Sequence, residues 1–247
     1  MARSKRSKVP AINRPRRNRA ANDDYLPAGE ESFRPTPPSR GSSEPIVAKN
    51  EKQQRYINAI KNFDVTFGLG PAGTGKSWIA TAIAAEMLQS GGIDKIVVTR
   101  PAVESEEEFG FLPGELSEKF EPYLAPVKEI LYERLGKGMT EYLVKTGKIE
   151  AIPLAFMRGR TLKNSFVLFD EAQNATSGQM KLFLTRIGEG CKVVIDGDAA
   201  QTDIPNSGLT DAATRIQHIP CVKIIKFSTE DIVRSGFVSE VIRAYGD

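Results

Sequence analysis

A glycine-rich segment has the residue types and the spacing of a loop that binds the phosphates of a nucleotide: Gly70-Pro71-Ala72-Gly73-Thr74-Gly75-Lys76-Ser77. Glycines let the backbone curl so that several N–H groups face one anion, and a helix that begins there adds positive potential. Lys76 is predicted to reach the β- and γ-phosphates, and the Ser77 hydroxyl to bind Mg²⁺. The predicted nucleotide contacts comprise Gly70, Pro71, Ala72, Gly73, Thr74, Gly75, Lys76, Ser77 and Trp78. The alternative is a glycine-rich turn without a ligand.

A pair of carboxylates, Asp170 and Glu171, follows the strongly apolar segment 166–169. Four apolar residues in a row indicate a buried parallel strand, and ligands of such sheets bind beyond the carboxyl ends of the strands. Asp170 is therefore predicted to hold the Mg²⁺ shell together with Ser77. Glu171 is predicted to orient an attacking water and accept its proton, which favours hydrolysis over transfer to a substrate hydroxyl. The alternative for Glu171 is an acid placed at a helix start by the helix dipole.

A further polar group follows the apolar segment 192–195, in the sequence Asp196-Gly197-Asp198-Ala199-Ala200-Gln201. Gln201 is predicted to sense the γ-phosphate or to position the attacking water, with Asp198 supporting that contact. Gln201 thus joins Lys76 and Glu171 in the predicted catalytic set. The alternative is an Asp- and Gln-rich turn without a catalytic role.

These side chains require a scaffold that brings several loops to one edge. Short apolar segments typical of strands occur at 64–69, 94–99, 165–170, 191–196 and 222–227, and helical patterns separate most of them. This alternation predicts an α/β fold, a single RecA-like P-loop NTPase domain whose parallel sheet has helices on both faces. We expect the strand before the phosphate loop near the centre of the sheet. Segment 149–154 is a candidate edge strand, and an apolar helical stripe within 123–135 is best explained by core packing.

The excess positive charge of the chain lies near its amino end. The net charge is +3, yet residues 1–45 alone hold 10 Lys and Arg against 5 Asp and Glu. Because this segment is rich in proline and poor in apolar residues, we expect a disordered tail over 1–45 and one ATPase domain over 46–247. The tail could contact nucleic-acid phosphates, or it could be a solubilising extension without a dedicated role.

Composition excludes several other classes of protein. Two cysteines, Cys191 and Cys221, and a single histidine, His218, exclude a disulfide scaffold, a Cys-x-x-Cys motif and a histidine metal cluster. No apolar run approaches the ~18 residues of a membrane span, and no apolar core follows the basic N-terminus as in a secretory signal. We therefore expect no membrane partner and a cytoplasmic location, in a bacterial cell or, for a phage-encoded chain, in its host.

Seven further motifs, with the phosphate loop, closely resemble the PhoH-like family of P-loop ATPases. They are Thr99-Arg100-Pro101-Ala102-Val103-Glu104, Gly110-Phe111-Leu112-Pro113-Gly114, Met157-Arg158-Gly159-Arg160-Thr161-Leu162, Asp170-Glu171-Ala172-Gln173-Asn174, Gln179-Met180-Lys181, Leu184-Thr185-Arg186-Ile187-Gly188 and Gly197-Asp198. The resemblance covers residues 50–245 and excludes the tail. This sequence departs from the family at Glu106, where Gly is frequent, at Phe156, where Tyr is common, and at Ser235-Gly236-Phe237, where the match is looser.

The resemblance implies a RecA-type domain related to the first motor domain of superfamily 1 helicases, with ATP and Mg²⁺ as ligands and ATP hydrolysis as the activity. Family members often look ring-forming. Some are linked to RNA unwinding, or to ribonuclease activity when fused to a nuclease domain. Gln53 looks like the glutamine that reads the adenine, and Thr99-Arg100 looks like the helicase segment that touches single-stranded nucleic acid.

A single RecA-type domain leaves its ATP site without the arginine that a second domain would supply. Such an arginine contributes ~10³–10⁵ to the rate of related phosphoryl transfers. We therefore predict a homo-oligomeric ring, by preference a hexamer, in which a neighbouring subunit supplies this catalytic arginine. The candidates, in falling order of preference, are Arg234, Arg186 and Arg160. The alternative for each is a salt bridge at the surface or at an interface.

Four basic side chains are predicted to contact single-stranded RNA or DNA: Arg100, Arg158, Arg160 and Lys163. They offer a modest surface for tracking phosphates, so we expect weak base preference. The leading hypothesis is an oligomeric ATPase that acts on single-stranded nucleic acid.

Three other functions stay open at this point. One is a slow nucleotide-dependent switch or scaffold for a protein partner, and another is a small-molecule kinase. The third is a nuclease with a metal cluster of Asp170, Asp196, Asp198 and Asp203.

Overall fold

Six parallel strands form one sheet in the computed structural model, which describes residues 41–42, 44–101 and 121–233. In chain order the strands are β1 (Val65–Leu69), β2 (Lys95–Thr99), β3 (Ile149–Ala151), β4 (Ser165–Phe169), β5 (Lys192–Gly197) and β6 (Val222–Lys226). Their order across the sheet is β3-β2-β4-β5-β1-β6. The fold is the predicted α/β fold of a RecA-like P-loop NTPase domain.

The helices that cover the sheet are α1 (Glu51–Asn62), α2 (Lys76–Gln89), α3 (Glu121–Leu135), α4 (Lys137–Lys145), α5 (Ser177–Leu184) and α6 (Leu209–Ile216). Short 3₁₀ helices occur at Leu154–Met157, Ala172–Asn174 and Thr229–Asp231. A side chain caps α1, since Asn50 Oδ1 accepts from the N–H of Gln53 at 2.8 Å. No side chain caps α2, which begins after Gly75. The first N–H groups of α2 are therefore available to a ligand.

Both faces of the sheet are buried, and successive side chains of a strand point to opposite faces. Ile96 and Phe166 belong to the core that packs against α1, α2 and α3. Val97 and Val167 belong to the second core, which packs against α5 and α6. This double burial explains why the strands read as nearly continuous apolar runs in the sequence.

The predicted strands correspond closely to the observed ones. The bounds of β1, β2, β4, β5 and β6 lie within one residue of the predicted bounds. The candidate edge strand is β3, which pairs with β2 and ends at Ala151 because a 3₁₀ helix begins at Leu154. The apolar stripe of α3 packs into the core, as predicted, through Leu124, Val127, Leu131 and Leu135.

One detail of the predicted sheet is wrong. The strand before the phosphate loop, β1, was expected near the centre but is second from the edge. Only β6 lies beyond it, because β2, β3, β4 and β5 all lie on its other side.

Several sequence predictions concern residues outside the described ranges. They include most of the tail, the acidic segment 104–108 and Arg234. The described residues belong to one compact unit, Pro37–Asp247, so the boundary between 45 and 46 stays a prediction. Within the ranges given above, no helix is long and apolar enough to cross a membrane.

Candidate nucleotide site

The phosphate loop, residues 70–77, connects β1 to α2 at the carboxyl edge of the sheet. Two of its glycines need a conformation and a space that other residues lack. Gly70 has a φ of 137°, and a Cβ there would collide with the carbonyl oxygen of Phe227. Gly75 has a φ of 84°, and a Cβ there would lie 2.9 Å from Nε2 of Gln53. Glycine at both positions therefore sets the shape of the loop.

Lys76 closes the loop on itself. Its Nζ donates to the carbonyl oxygens of Gly70 at 2.7 Å and Pro71 at 2.8 Å. Burial lowers the pKa of Lys76, whereas the nearby carboxylates, Asp196 and Asp198 first among them, raise it. An ammonium group in this position can exchange its carbonyl contacts for the oxygens of a phosphate chain.

Ser77 and Asp170 are suitable ligands for a Mg²⁺ ion whose remaining coordination positions a nucleotide and waters would fill. The Ser77 hydroxyl donates to Oδ1 of Asp170 at 3.0 Å, which leaves its oxygen lone pairs available to a metal. Mg²⁺ is usually held by one or two protein oxygen ligands together with waters and substrate phosphates.

A metal site built from several acidic side chains is not observed: no group of three or more His, Cys, Asp and Glu in the described part of the chain could hold a metal. This finding weakens the four-aspartate nuclease hypothesis.

Arg100 binds the same carboxylate. Its Nε lies 3.1 Å from Oδ2 of Asp170, and its Nη2 donates to the same oxygen. The sheet register explains the pairing, because Thr99 of β2 lies beside Phe169 of β4 and the next residue of each strand follows at the same edge. The side chain of Asp170 is only 8% exposed, so the ion pair is largely withdrawn from water. The predicted contact of Arg100 with nucleic acid would require it to leave Asp170.

Replacing Arg100 with glutamine is expected to make nucleotide binding more dependent on Mg²⁺. Without the metal, Arg100 is the cation that compensates Asp170, so the variant should bind nucleotide more weakly in EDTA, by about five- to tenfold. With Mg²⁺ present, the loss should be smaller because the two cations no longer compete for one carboxylate. Titration of a fluorescent nucleotide with and without Mg²⁺ measures the ratio of the two affinities. Arg158→Gln, a change at an exposed arginine, is the control and should leave this ratio of affinities unchanged. An unchanged ratio in the Arg100 variant would show that Arg100 does not compensate Asp170.

A hydrogen bond fixes one carboxylate oxygen of Glu171, although the residue is exposed at the cavity. Its Oε2 accepts from Nε2 of Gln173 at 2.6 Å, and Oε1 of Gln173 accepts from the N–H of Asp198 at 3.1 Å. Glu171 has a φ of 53°, a left-handed conformation that is uncommon outside glycine. Gln173 is buried and links the carboxylate to the loop after β5. Sequence reasoning missed this role, although the position of Gln173 two residues after Glu171 was a usable signal.

An open cavity of about 270 Å³ lies in front of the phosphate loop. Its lining brings together these residues predicted from the sequence: Ala72, Gly73, Gly75, Lys76, Ser77, Trp78, Asp170, Glu171 and Gln201. Gly70, Pro71 and Thr74 shape the loop but do not line the cavity. Its volume is below the ~300–1,000 Å³ of pockets for whole small molecules, which suits the phosphate end of a nucleotide.

Gln53 lies behind the phosphate loop. Its Nε2 donates to the carbonyl oxygen of Thr74 at 2.9 Å, and its Oε1 accepts from the N–H of Lys49 at 2.8 Å. Gln53 is buried, so in this structure it supports the loop from α1. Reading an adenine stays a prediction, and it would require Gln53 to exchange at least one of these bonds.

Asp196 is a buried acid at the back of the phosphate site. Its Oδ1 accepts from the Tyr56 hydroxyl of α1 at 2.5 Å, and its buried Oδ2 finds no hydrogen-bond partner in the described part of the chain. Burial raises the pKa of Asp196 to about 8, and Asp170 and Glu171 raise it as well, whereas the Tyr56 bond and Lys76 of α2 lower it. Burial and Asp196 also raise the pKa of Tyr56. Burial therefore favours the protonated form of Asp196 over the carboxylate.

Asp196→Asn is expected to remove part of the pH dependence of stability. Unfolding returns the pKa of Asp196 from about 8 to an ordinary 3.8. Below pH 4 both states hold the proton, and between pH 4 and 8 only the folded state does. The free energy of unfolding should therefore fall across this window by up to ~1.4 kcal/mol per pH unit. Asparagine mimics the protonated acid, so urea unfolding from pH 5 to 8 should show a flatter profile for the variant. Parallel profiles would exclude this titration.

The other residues predicted to contact nucleic acid are exposed. Arg158, Arg160 and Lys163 lie between a 3₁₀ helix and β4. Arg160 lies 4.0 Å from Glu150, and Lys163 precedes the amino end of β4, away from the phosphate edge. Their contact with nucleic acid stays a prediction.

Of the arginines predicted to act on a neighbouring subunit, Arg186 and Arg160 do not line the phosphate cavity. Arg186 lies beside Arg158 in a shallow depression, and Arg160 is on the exposed segment before β4. Arg234 lies outside the described residues. No arginine of the described ranges lines the cavity.

Comparison with known proteins identifies relatives over nearly the whole domain. A family model described as PhoH-like protein matches residues 45–246. Protein PhoH of Escherichia coli (strain K12) is 46% identical over 212 residues, which are 84% of this chain and 60% of that protein. The PhoH-like protein of Bacillus subtilis (strain 168) is 47% identical over 203 residues, which are 81% of this chain and 64% of that protein.

The chain spans about 60% of the length of the curated relatives it matches. Among solved structures, the crystal structure of Pif1 helicase from Candida albicans aligns with a TM-score of 0.38 and 14% sequence identity. That alignment covers 78% of this chain and 43% of the helicase chain.

Proposed function

The chain belongs to the PhoH-like protein family, and on that premise we propose that this P-loop NTPase hydrolyses ATP with Mg²⁺ and couples hydrolysis to single-stranded RNA or DNA. The observation that carries the proposal is the placement of Glu171. This carboxylate lines the phosphate cavity beside Lys76, Ser77 and Asp170, and Gln173 fixes one of its oxygens.

Each side chain of the phosphate site has a separate role in hydrolysis. Lys76 orients the phosphate chain and balances its charge. Oε1 of Glu171 accepts a hydrogen bond from the attacking water and then its proton, while Oε2 remains bound to Gln173. When bound, Mg²⁺ supplies positive charge to the β- and γ-phosphate oxygens, and Ser77 and Asp170 would hold it. Gln201, on the cavity wall after β5, orients the water or the γ-phosphate.

Nucleic acid and a ring of subunits belong to the same proposal. In a ring, a neighbouring chain would supply an arginine to the phosphates, a contribution of ~10³–10⁵ to the rate of related phosphoryl transfers. Exposed basic residues such as Arg158, Arg160 and Lys163 support contacts with a phosphate backbone. We also propose a cytoplasmic location, where ATP and nucleic acid are both available.

A second candidate function is a slow nucleotide-dependent switch. It is favoured by the ion pair between Arg100 and Asp170, because this pair leaves the phosphate cavity without a free arginine of the described ranges. A switch would bind ATP tightly and turn it over slowly until a partner intervened.

Steady-state ATP hydrolysis with and without single-stranded RNA and DNA separates the two functions. Measured at two salt concentrations, stimulation by one polymer that weakens at high salt would support coupling to nucleic acid. Tight ATP binding without turnover or stimulation would reject it and favour the switch. Sedimentation with and without ATP tests the ring in the same preparation.

A further inference from the structure

A cleft at the β6 edge of the sheet is separate from the phosphate cavity. Its volume is about 630 Å³, and its lining includes α1, α6 and residues 223–226 of β6. Helix α1 packs on one face of the sheet and α6 on the other. The edge strand therefore lies recessed between two helices rather than projecting into solvent.

The floor of the cleft presents main-chain groups that have no partner among the described residues. On its inner side β6 is bonded to β1, since Phe227 donates to the carbonyl oxygen of Leu69 at 2.7 Å and Val65 donates to that of Cys221 at 3.0 Å. In a parallel pair alternate residues bond to the neighbouring strand, so Ile224 and Lys226 direct their N–H and C=O groups outward. Among the described residues, no strand pairs with this side of β6.

The walls and floor of the cleft carry positive charge. Lys52 and Arg55 of α1 line it together with Lys223 and Lys226 of β6, and no Asp or Glu of the described part of the chain lines it. Glu51 pairs with Arg55, but this pair is highly exposed and compensates little of the charge. An occupant with carboxylate side chains would complement the cleft.

We propose that this cleft binds an extended acidic segment of a partner protein, which adds to the sheet as a seventh strand beside β6. The mixture of donors and acceptors on the strand edge matches a peptide backbone. A DNA backbone offers acceptors only, and an RNA backbone adds a single 2′-hydroxyl donor per nucleotide, so neither matches the paired N–H and C=O groups of the strand edge as a peptide does. At ~3.3 Å per residue, the five residues of β6 match a partner segment of about five residues.

A second copy of this chain is a less suitable occupant through the same edge. Two β6 strands side by side would bring Lys223 and Lys226 of both copies together, and lysines on an edge strand discourage such pairing. The same lysines attract a strand with acidic side chains. The proposal is independent of the nucleotide site, since the phosphate cavity and the cleft share no lining residue.

The test uses a fluorescein-labelled peptide in which Glu and Val alternate over six residues, with the full chain as its partner. We expect saturable binding that weakens at least tenfold in the double variant Lys223→Glu, Lys226→Glu. The control variant Lys61→Glu, Lys181→Glu makes the same charge change at exposed positions outside the cleft and should bind normally. A peptide with proline in place of each valine lacks alternate N–H donors and should not bind.

Hydrogen exchange identifies the mode of binding. Peptide should slow exchange at the amides of Ile224 and Lys226, whereas those of Lys223 and Ile225 are protected already by β1. Equal binding of the proline peptide, or no added protection at Ile224 and Lys226, would overturn the proposal.

Displacement of the peptide by a 15-nucleotide oligo(dT), with loss of oligo(dT) binding in the β6 variant, would instead make the cleft a nucleic-acid site. Glu171→Gln should not affect peptide binding, so failure here is distinct from failure of the ATPase proposal.

Discussion

Glu171→Gln is expected to reduce ATP turnover by about 10²–10⁴-fold while ATP affinity changes by no more than a few-fold. Glutamine keeps the size of the side chain and an oxygen that can accept from Gln173, so the site should keep its geometry. What it loses is the basic oxygen that takes the proton of the attacking water. The effect should therefore fall on kcat rather than on binding.

Phosphate release and competition by a non-hydrolysable ATP analogue measure the two quantities separately. Glu189→Gln provides the control, because this exposed acid lies outside the phosphate cavity. If the Glu171 variant turned over ATP at more than a tenth of the normal rate, Glu171 would not be the general base. The search would then move to Asp198 and Gln201, which also line the cavity.

Lys76→Ala is expected to weaken binding of Mg²⁺·ATP by about 100-fold, since hydrogen bonds to charged groups contribute about 1.5–3 kcal/mol each. The loss has two physical sources. The phosphates lose a buried cation, and Asp170, Glu171 and Asp198 lose the positive charge that offsets them. Because of this second source, the site would repel the phosphates electrostatically in addition to losing a favourable contact with them.

Thermal unfolding in the presence of a non-hydrolysable analogue is a suitable measurement, because ligand that binds the folded state raises Tm. The rise should disappear in Lys76→Ala and persist in Lys61→Ala, an exposed lysine of α1. A normal rise in the Lys76 variant would show that the loop backbone alone binds the phosphates.

Features fixed by local spacing were predictable from the sequence. The phosphate loop needs glycines at set positions, and Asp170 follows a run of apolar residues that is buried on both faces. The order of the strands was not predictable, since any parallel neighbour can satisfy the same apolar pattern. For that reason the place of β1 was misjudged, and the pairing of Arg100 with Asp170 depends on β2 and β4 being neighbours.

Hydrogen bonds made by long polar side chains were also not predictable from the sequence. Gln53 and Gln173 each bridge two segments that are distant in the chain, and the distant partner of each is a backbone group that any residue type could present. The buried bond between Tyr56 and Asp196 joins α1 to β5 in the same way. Such contacts depend on tertiary packing, which periodicity and motif spacing do not report.

The left-handed backbone of Glu171 has a consequence for anyone who selects stabler forms of this protein. A side chain in that conformation costs roughly 1 kcal/mol that glycine would not incur. A screen that rewards heat resistance alone should therefore enrich Glu171→Gly, a change that removes the general base. Stability and turnover would be optimised by different residues at this one position, so a useful selection must score both.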